Sequence, residues 1–85
     1  MNLVILSGTL TNIEEYTDNI KIGRLEDEEH TYLIYWEKHN FNNCDLMFKK
    51  LTIVASISHI VIRVKKREKL CTCYRVMEME IIEDI

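Results

Sequence analysis

The sequence predicts an all-β domain, five strands and one small helix in the order β-β-β-α-β-β, closed into a barrel. Three observations predict it. Apolar residues recur with period two over most of the chain. One stretch, residues 38–50, switches to a helical period. The first strand is apolar on both faces and carries Gly8 in its interior, as a tightly coiled barrel strand requires.

Residues 2–16 form the long first strand. Val4, Leu6 and Leu10 share one face, Leu3 and Ile5 the other, and Gly8 predicts a bulge or sharp coil. Asp18-Asn19 is a turn signal, and residues 20–25 form a short second strand. Glu26 to Glu29 read as an exposed acidic loop. In the third strand, residues 30–37, Tyr32, Ile34 and Trp36 alternate with Leu33 and Tyr35. Phe41, Cys44, Met47 and Phe48 then make one helical face, with Asn40, Asn42 or Asn43 to cap it and Lys49 and Lys50 at its negative end. Residues 51–64 form the fourth strand. Its apolar phase changes from Ile53, Ala55 and Ile57 to Ile60, Ile62 and Val64, so the inside face switches, which predicts a bulge or bend near Ser58-His59. Residues 65–69 make a basic hairpin tip. The fifth strand, 70–82, sets Met77, Met79 and Ile81 opposite Tyr74 and Val76.

This is the element order of an OB barrel. An SH3-like barrel lacks a helix of this length at this point, and an open sheet in the same order also satisfies the pattern. With 85 residues the chain has room for one domain, 1–85, and its 47% apolar content argues against disorder. A core this small invites a partner subunit. The run Leu51 to Val64 is too short and too polar to span a bilayer, and the start lacks a basic leader. No membrane role and a cytoplasmic location are expected. An odd count of three cysteines agrees, because a secreted disulfide framework uses pairs.

The net charge of −3 hides an asymmetry: residues 1–45 carry −6 and residues 46–85 carry +3. Lys49, Lys50, Arg63, Lys65, Lys66, Arg67 and Lys69 stand against Glu68 alone between Lys49 and Lys69. On charge alone such cations are first a solvated hairpin tip protected from edge pairing; the other reading is a phosphate-contacting patch.

Met1-Asn2-Leu3-Val4-Ile5-Leu6-Ser7-Gly8-Thr9-Leu10 resembles the opening of the bacterial single-stranded-DNA-binding proteins. Tyr32-Leu33-Ile34-Tyr35-Trp36-Glu37-Lys38 is similar to that family's third strand, and Phe48-Lys49-Lys50 to its helix end. A short, tailless member or a related primosomal replication protein fits best. The chain departs from the family in its short loop between strands two and three, in Leu51 where a Gly ends the helix, and in lacking a Glu-Gly pair in strand four. It also shows no long acidic tail.

The resemblance implies binding of single-stranded DNA, or of RNA as the other single-strand class, by stacking and phosphate contacts in replication, repair or recombination. It points to Trp36, Tyr32 and His30 on one strand face and to Tyr74 as base platforms, with the basic residues above on phosphates. Read from the residues alone, a lone Trp in a strand is a core or interface residue, and His30 beside the acidic loop is a surface residue. The resemblance also implies a homodimer or homotetramer paired through first strands at Leu3 and Ile5, with replication proteins as further partners. The other reading is an OB-fold protein-interaction module without strong nucleic-acid affinity.

No chemistry of catalysis is expected. Cys71 and Cys73 share a strand face, but a structural zinc site needs four ligands, and Cys44, His39 and His59 lack ligand spacing. No metal, cofactor, acid–base pair or phosphate loop is expected.

Overall fold

The computed structural model describes residues 2–41 and 46–83. Five strands, β1 (Leu3–Glu15), β2 (Ile20–Glu26), β3 (Thr31–Glu37), β4 (Lys50–Val64) and β5 (Arg67–Glu83), close into a barrel in the order β1-β2-β3-β5-β4. All neighbours are antiparallel except β3 and β5. Among the described residues no helix is long and apolar enough to cross a membrane.

β1 is the corner of the barrel. It pairs with β4 from Leu3 to Thr9 and with β2 from Thr9 to Glu15, so Thr9 touches both. The coil expected at Gly8 is there as a close crossing: a Cβ at Gly8 would lie 2.6 Å from the Glu26 carbonyl oxygen. The register shift itself falls later, between Leu10 and Asn12. It flips the strand's phase, so Leu10 and then Ile13 both reach the core.

A second shift reconciles the two apolar phases of β5. Val54 pairs with Glu78 but Ala55 with Val76, which leaves Met77 as the extra residue. Val76 and Met79 thereby face the same interior, although they lie on opposite sides by simple alternation. The interior is filled by Leu10, Leu25, Ile34, Trp36, Leu51, Ile53 and neighbouring side chains.

Two expectations are corrected. No bulge occurs at Ser58-His59; pairing runs unbroken from Ile57↔Tyr74 to Val64↔Arg67. The last β1 partner of β4 is Ser56. Beyond it the β4–β5 hairpin leaves the barrel as a two-stranded ribbon with new surroundings on each face. Ile57, His59 and Val61 become exposed, while Ser58, Ile60 and Ile62 are half-buried.

The helix of 38–50 is also replaced at both described ends. Lys38–Asn40 forms one 3-10 turn, and residues 47 and 48 form another turn, in which Phe48 has φ 62°. Cys44, Asn42 and Asn43 lie outside the described residues. Phe48 is 72% exposed, and Leu46 takes the buried position with Phe41 packed beside it. Asn40, Asn42, Asn43 and His39 carry low helix propensity, and no side-chain cap bond is made at Glu37.

Gly23 faces the barrel interior. A Cβ there would meet the Asn12 carbonyl oxygen at 2.8 Å, Leu10 at 3.0 Å and the Trp36 indole at 3.2 Å. Gly23→Ala is therefore expected to lower stability by roughly 1–3 kcal/mol, the usual cost of overpacking. Urea denaturation measures it; an unchanged midpoint would mean that the indole does not press on Gly23.

Candidate nucleic-acid interface

The expected base platform on Trp36 is corrected first. Trp36 is 2% exposed and lies inside the barrel. Both phases of β3 are apolar, and the larger set, Tyr32, Ile34 and Trp36, turns inward because Gly23 on β2 opens the space that an indole needs. A side chain the size of Trp buries on the order of 200 Å², worth up to roughly 5 kcal/mol. That burial outweighs anything its exposure would offer an isolated barrel.

The other three expected platforms come together. The His30 and Tyr32 rings stack at 5.8 Å with 22° between planes. Tyr32 meets Tyr74 edge to face at 5.6 Å. This ladder sits where the inward phase of β3 reaches the barrel mouth. Tyr32 and Tyr74 are half-buried and the His30 side chain is 60% exposed. Tyr74 pairs across the strands with Ile57. The same face of the ribbon continues through His59/Thr72, Val61/Leu70 and Arg63/Glu68 to the turn, because directly opposed residues share a face.

The tip is tighter than expected. Lys65 and Lys66 alone form the turn, with φ 50° and 66°, and Arg67 already opens β5. Two successive positive φ values define the mirror-image hairpin turn that matches strand twist, a turn normally made by Asn-Gly. Lysine holds this conformation at a cost of about 1 kcal/mol per residue. Lys65, Lys66, Arg67 and Lys69 make no ion pair among the described residues. Arg63 pairs with Glu68 at 3.3 Å, but both are largely exposed, so the pair is weak.

The basic set divides in two, which corrects the expectation of one patch. Lys49 and Lys50 precede and open β4, while Lys65 to Lys69 lie at and beyond its end, a strand path of roughly 45 Å away. Lys50 borders a shallow pocket with Asp27 and Glu28, in an acidic setting. Leu3 and Ile5 remain 52% and 72% exposed on the outer face of β1, beside Ser56 and Val54 of β4.

The underside of the ribbon rests on the sheet. The Tyr16 hydroxyl donates to the Val61 carbonyl at 2.7 Å, and the Tyr35 hydroxyl to Ser58 Oγ at 3.2 Å. Cys73 is fully buried there, and burial pushes its thiol up in pKa, partly offset by a hydrogen bond with Ser58. A groove of about 340 Å³ opens between the ribbon and the ends of β1 and β2, lined by Tyr16, Ile22, Arg24, Leu33, Ile62 and Arg63 among others. Among the described residues no cluster of His, Cys, Asp or Glu is arranged to hold a metal ion.

Sequence reasoning missed Ile57, His59, Val61 and Leu70 as a surface track, and Tyr16 and Tyr35 as supports of the ribbon. The usable signal for the first group was the phase change read near Ser58-His59, which the burial follows: His59 and Val61 are exposed, Ile60 and Ile62 half-buried.

No protein-family model matches the chain, and no curated protein matches it. Among solved structures it is similar to one described as "OBody NL8 bound to hen egg-white lysozyme", with a TM-score of 0.70 and 15% identity over 100% of this chain and 98% of that one. At that identity the likeness concerns the fold, a small closed β-sheet spanning both chains.

His30 is held in place by the loop before it. The Asp27 carboxylate accepts the backbone N–H groups of Glu29 at 2.8 Å and His30 at 2.7 Å, and these bonds, with His30 nearby, hold its pKa below the ordinary 3.8. A depressed carboxyl stabilises the fold above its ordinary pKa, and the contribution is lost as pH falls through the lowered value. Asp27→Asn keeps the acceptor and removes the charge. The melting-temperature advantage of the native chain over Asp27→Asn is expected to shrink as pH falls below 3.8; a difference independent of pH would contradict the assignment.

Proposed function

We propose that this chain is an OB-fold binding module that holds single-stranded nucleic acid, DNA first, without sequence preference. The strand order β1-β2-β3-β5-β4, a coiled β1 shared by two partners, and the likeness to a structure named OBody support the OB assignment. One observation carries the binding reading: the His30–Tyr32 stack of β3 meets Tyr74, and from Tyr74 one ribbon face runs through Thr72, Leu70 and Glu68 with their partners to the basic turn Lys65-Lys66. Bases stack on the ladder and on the exposed apolar track, and phosphates follow Arg63, Lys65 and Lys66 toward the tip. Trp36 supports the surface from beneath and touches no base.

The strained turn adds weight. Positions where Asn-Gly is the relaxed choice instead carry two cations, a local cost that a charge-dependent role explains. Work in replication, repair or recombination, as a homodimer or homotetramer joined at Leu3 and Ile5, belongs to the same proposal.

A protein-interaction module is the second reading. The buried Trp36 and the exposed Ile57, Val61 and Leu70 favour it, and the OBody structure pairs a similar fold with a protein, lysozyme.

Lys65→Asn/Lys66→Gly separates charge from folding, because it removes two cations and relaxes the turn. Anisotropy of a labelled oligo-dT across a salt series should show weaker binding, with the slope of log affinity against log salt reduced by about 1.4. The melting temperature should rise at the same time, by several degrees for roughly 1 kcal/mol. Equal affinity and slope in the native chain and the variant would remove the tip from the interface. No binding by the native chain would leave the interaction module.

A further inference from the structure

We propose that the outer edge of β5 from Arg67 to Cys73 accepts an extended acidic peptide as an added strand. The inference rests on backbone groups at the ribbon's edge, which stacked bases and phosphates do not use; the Leu70 side chain alone belongs to both surfaces.

The ribbon has two edges, because β1 pairs with β4 only as far as Ser56 and β3 pairs with β5 only at Tyr74 and Arg75. The β4 edge is capped at one carbonyl. Tyr16 donates to the Val61 carbonyl, so the Val61 backbone groups point away from β5. Val61 and Leu70 are then a non-hydrogen-bonded pair, and alternation makes Arg63/Glu68 and His59/Thr72 the same. The tight turn agrees, since a two-residue loop closes on a hydrogen-bonded pair, here Val64/Arg67. The backbone N–H and C=O groups of Glu68, Leu70 and Thr72 therefore point outward, and no backbone hydrogen bond meets them among the described residues.

Side chains set the chemistry of the strand that would pair there. Arg67 and Lys69 lie on one face of this edge, and Leu70, 67% exposed, lies on the other. An incoming strand that alternates acidic and apolar residues places carboxylates beside the cations and an apolar side chain against Leu70. A second copy of this edge fits poorly, because its own Arg67 and Lys69 would line the same seam.

The test uses a blocked peptide alternating Glu and Val, with a Lys/Val peptide as control, added to the isotope-labelled full chain. Exchange of the Glu68, Leu70 and Thr72 amides should slow with the acidic peptide, while Lys69 and Cys71, already bonded to β4, should not change. Leu70→Pro removes one outward N–H that β4 does not use, and Arg67→Glu/Lys69→Glu reverses the charge. Each should weaken the peptide by about tenfold, with Trp36 emission unchanged as the sign of an intact barrel. Equal affinity for the Lys/Val peptide, uniform exchange along β5, or native affinity in both variants would overturn the proposal. So would protection of the same amides by self-association or by oligo-dT in place of the peptide.

Discussion

Closure of the barrel around the Trp36 indole is the constraint on which the other features depend. An 85-residue chain with a single tryptophan gains more burial from that ring than from any other one side chain when the barrel encloses it. The ring requires an open space on β2, which Gly23 supplies. It also fixes the phase of β3, so Tyr32 must follow it inward and reach the barrel mouth beside Tyr74. The surface ladder is thus a consequence of the core, extended by two residues along one strand face.

The ribbon is the second consequence. A closed barrel of this size uses only the first part of β4 and the second part of β5, and the rest of the hairpin projects from it. That projection sets one face outward with His59, Val61, Leu70 and Arg63, and ties the other side to Tyr16 past the end of β1 and to Tyr35 of β3, with Cys73 buried. The longest molecular dimension, 39 Å against 26 and 25 Å, reflects this arm. Beyond Ser56, the Tyr16 hydroxyl, one residue past the end of β1, gives the arm a hydrogen-bonded support.

All five strands were legible in the sequence because alternation and turn residues bound each one. The phases were not. β1, β3, β4 and β5 are apolar on both sides, so periodicity alone does not say which face is interior. Bulges at Thr11 and Met77 invert the phase partway along their strands, and neither residue type announces a bulge. Trp36 was therefore placed on the surface by resemblance, when its diagonal neighbour Gly23 was the physical clue. The helical reading of 38–50 rested on four apolar residues at matching spacing, a pattern that an asparagine-rich connection also produces. His30, Tyr32 and Tyr74 were legible as a set, and the division of the basic residues between the two ends of β4 was not, because sequence proximity across a strand is not proximity in space.

Mapping oligo-dT onto the chain by amide and indole shifts in nuclear magnetic resonance tests the central claim most directly, since one titration reads the core and the ribbon together. Shifts are expected at His30, Tyr32, His59, Leu70, Tyr74 and the Lys65-Lys66 turn, with the Trp36 indole signal nearly still. A large shift at the Trp36 indole with a silent ribbon would contradict that claim, because a buried ring would then have to be the platform that the barrel encloses.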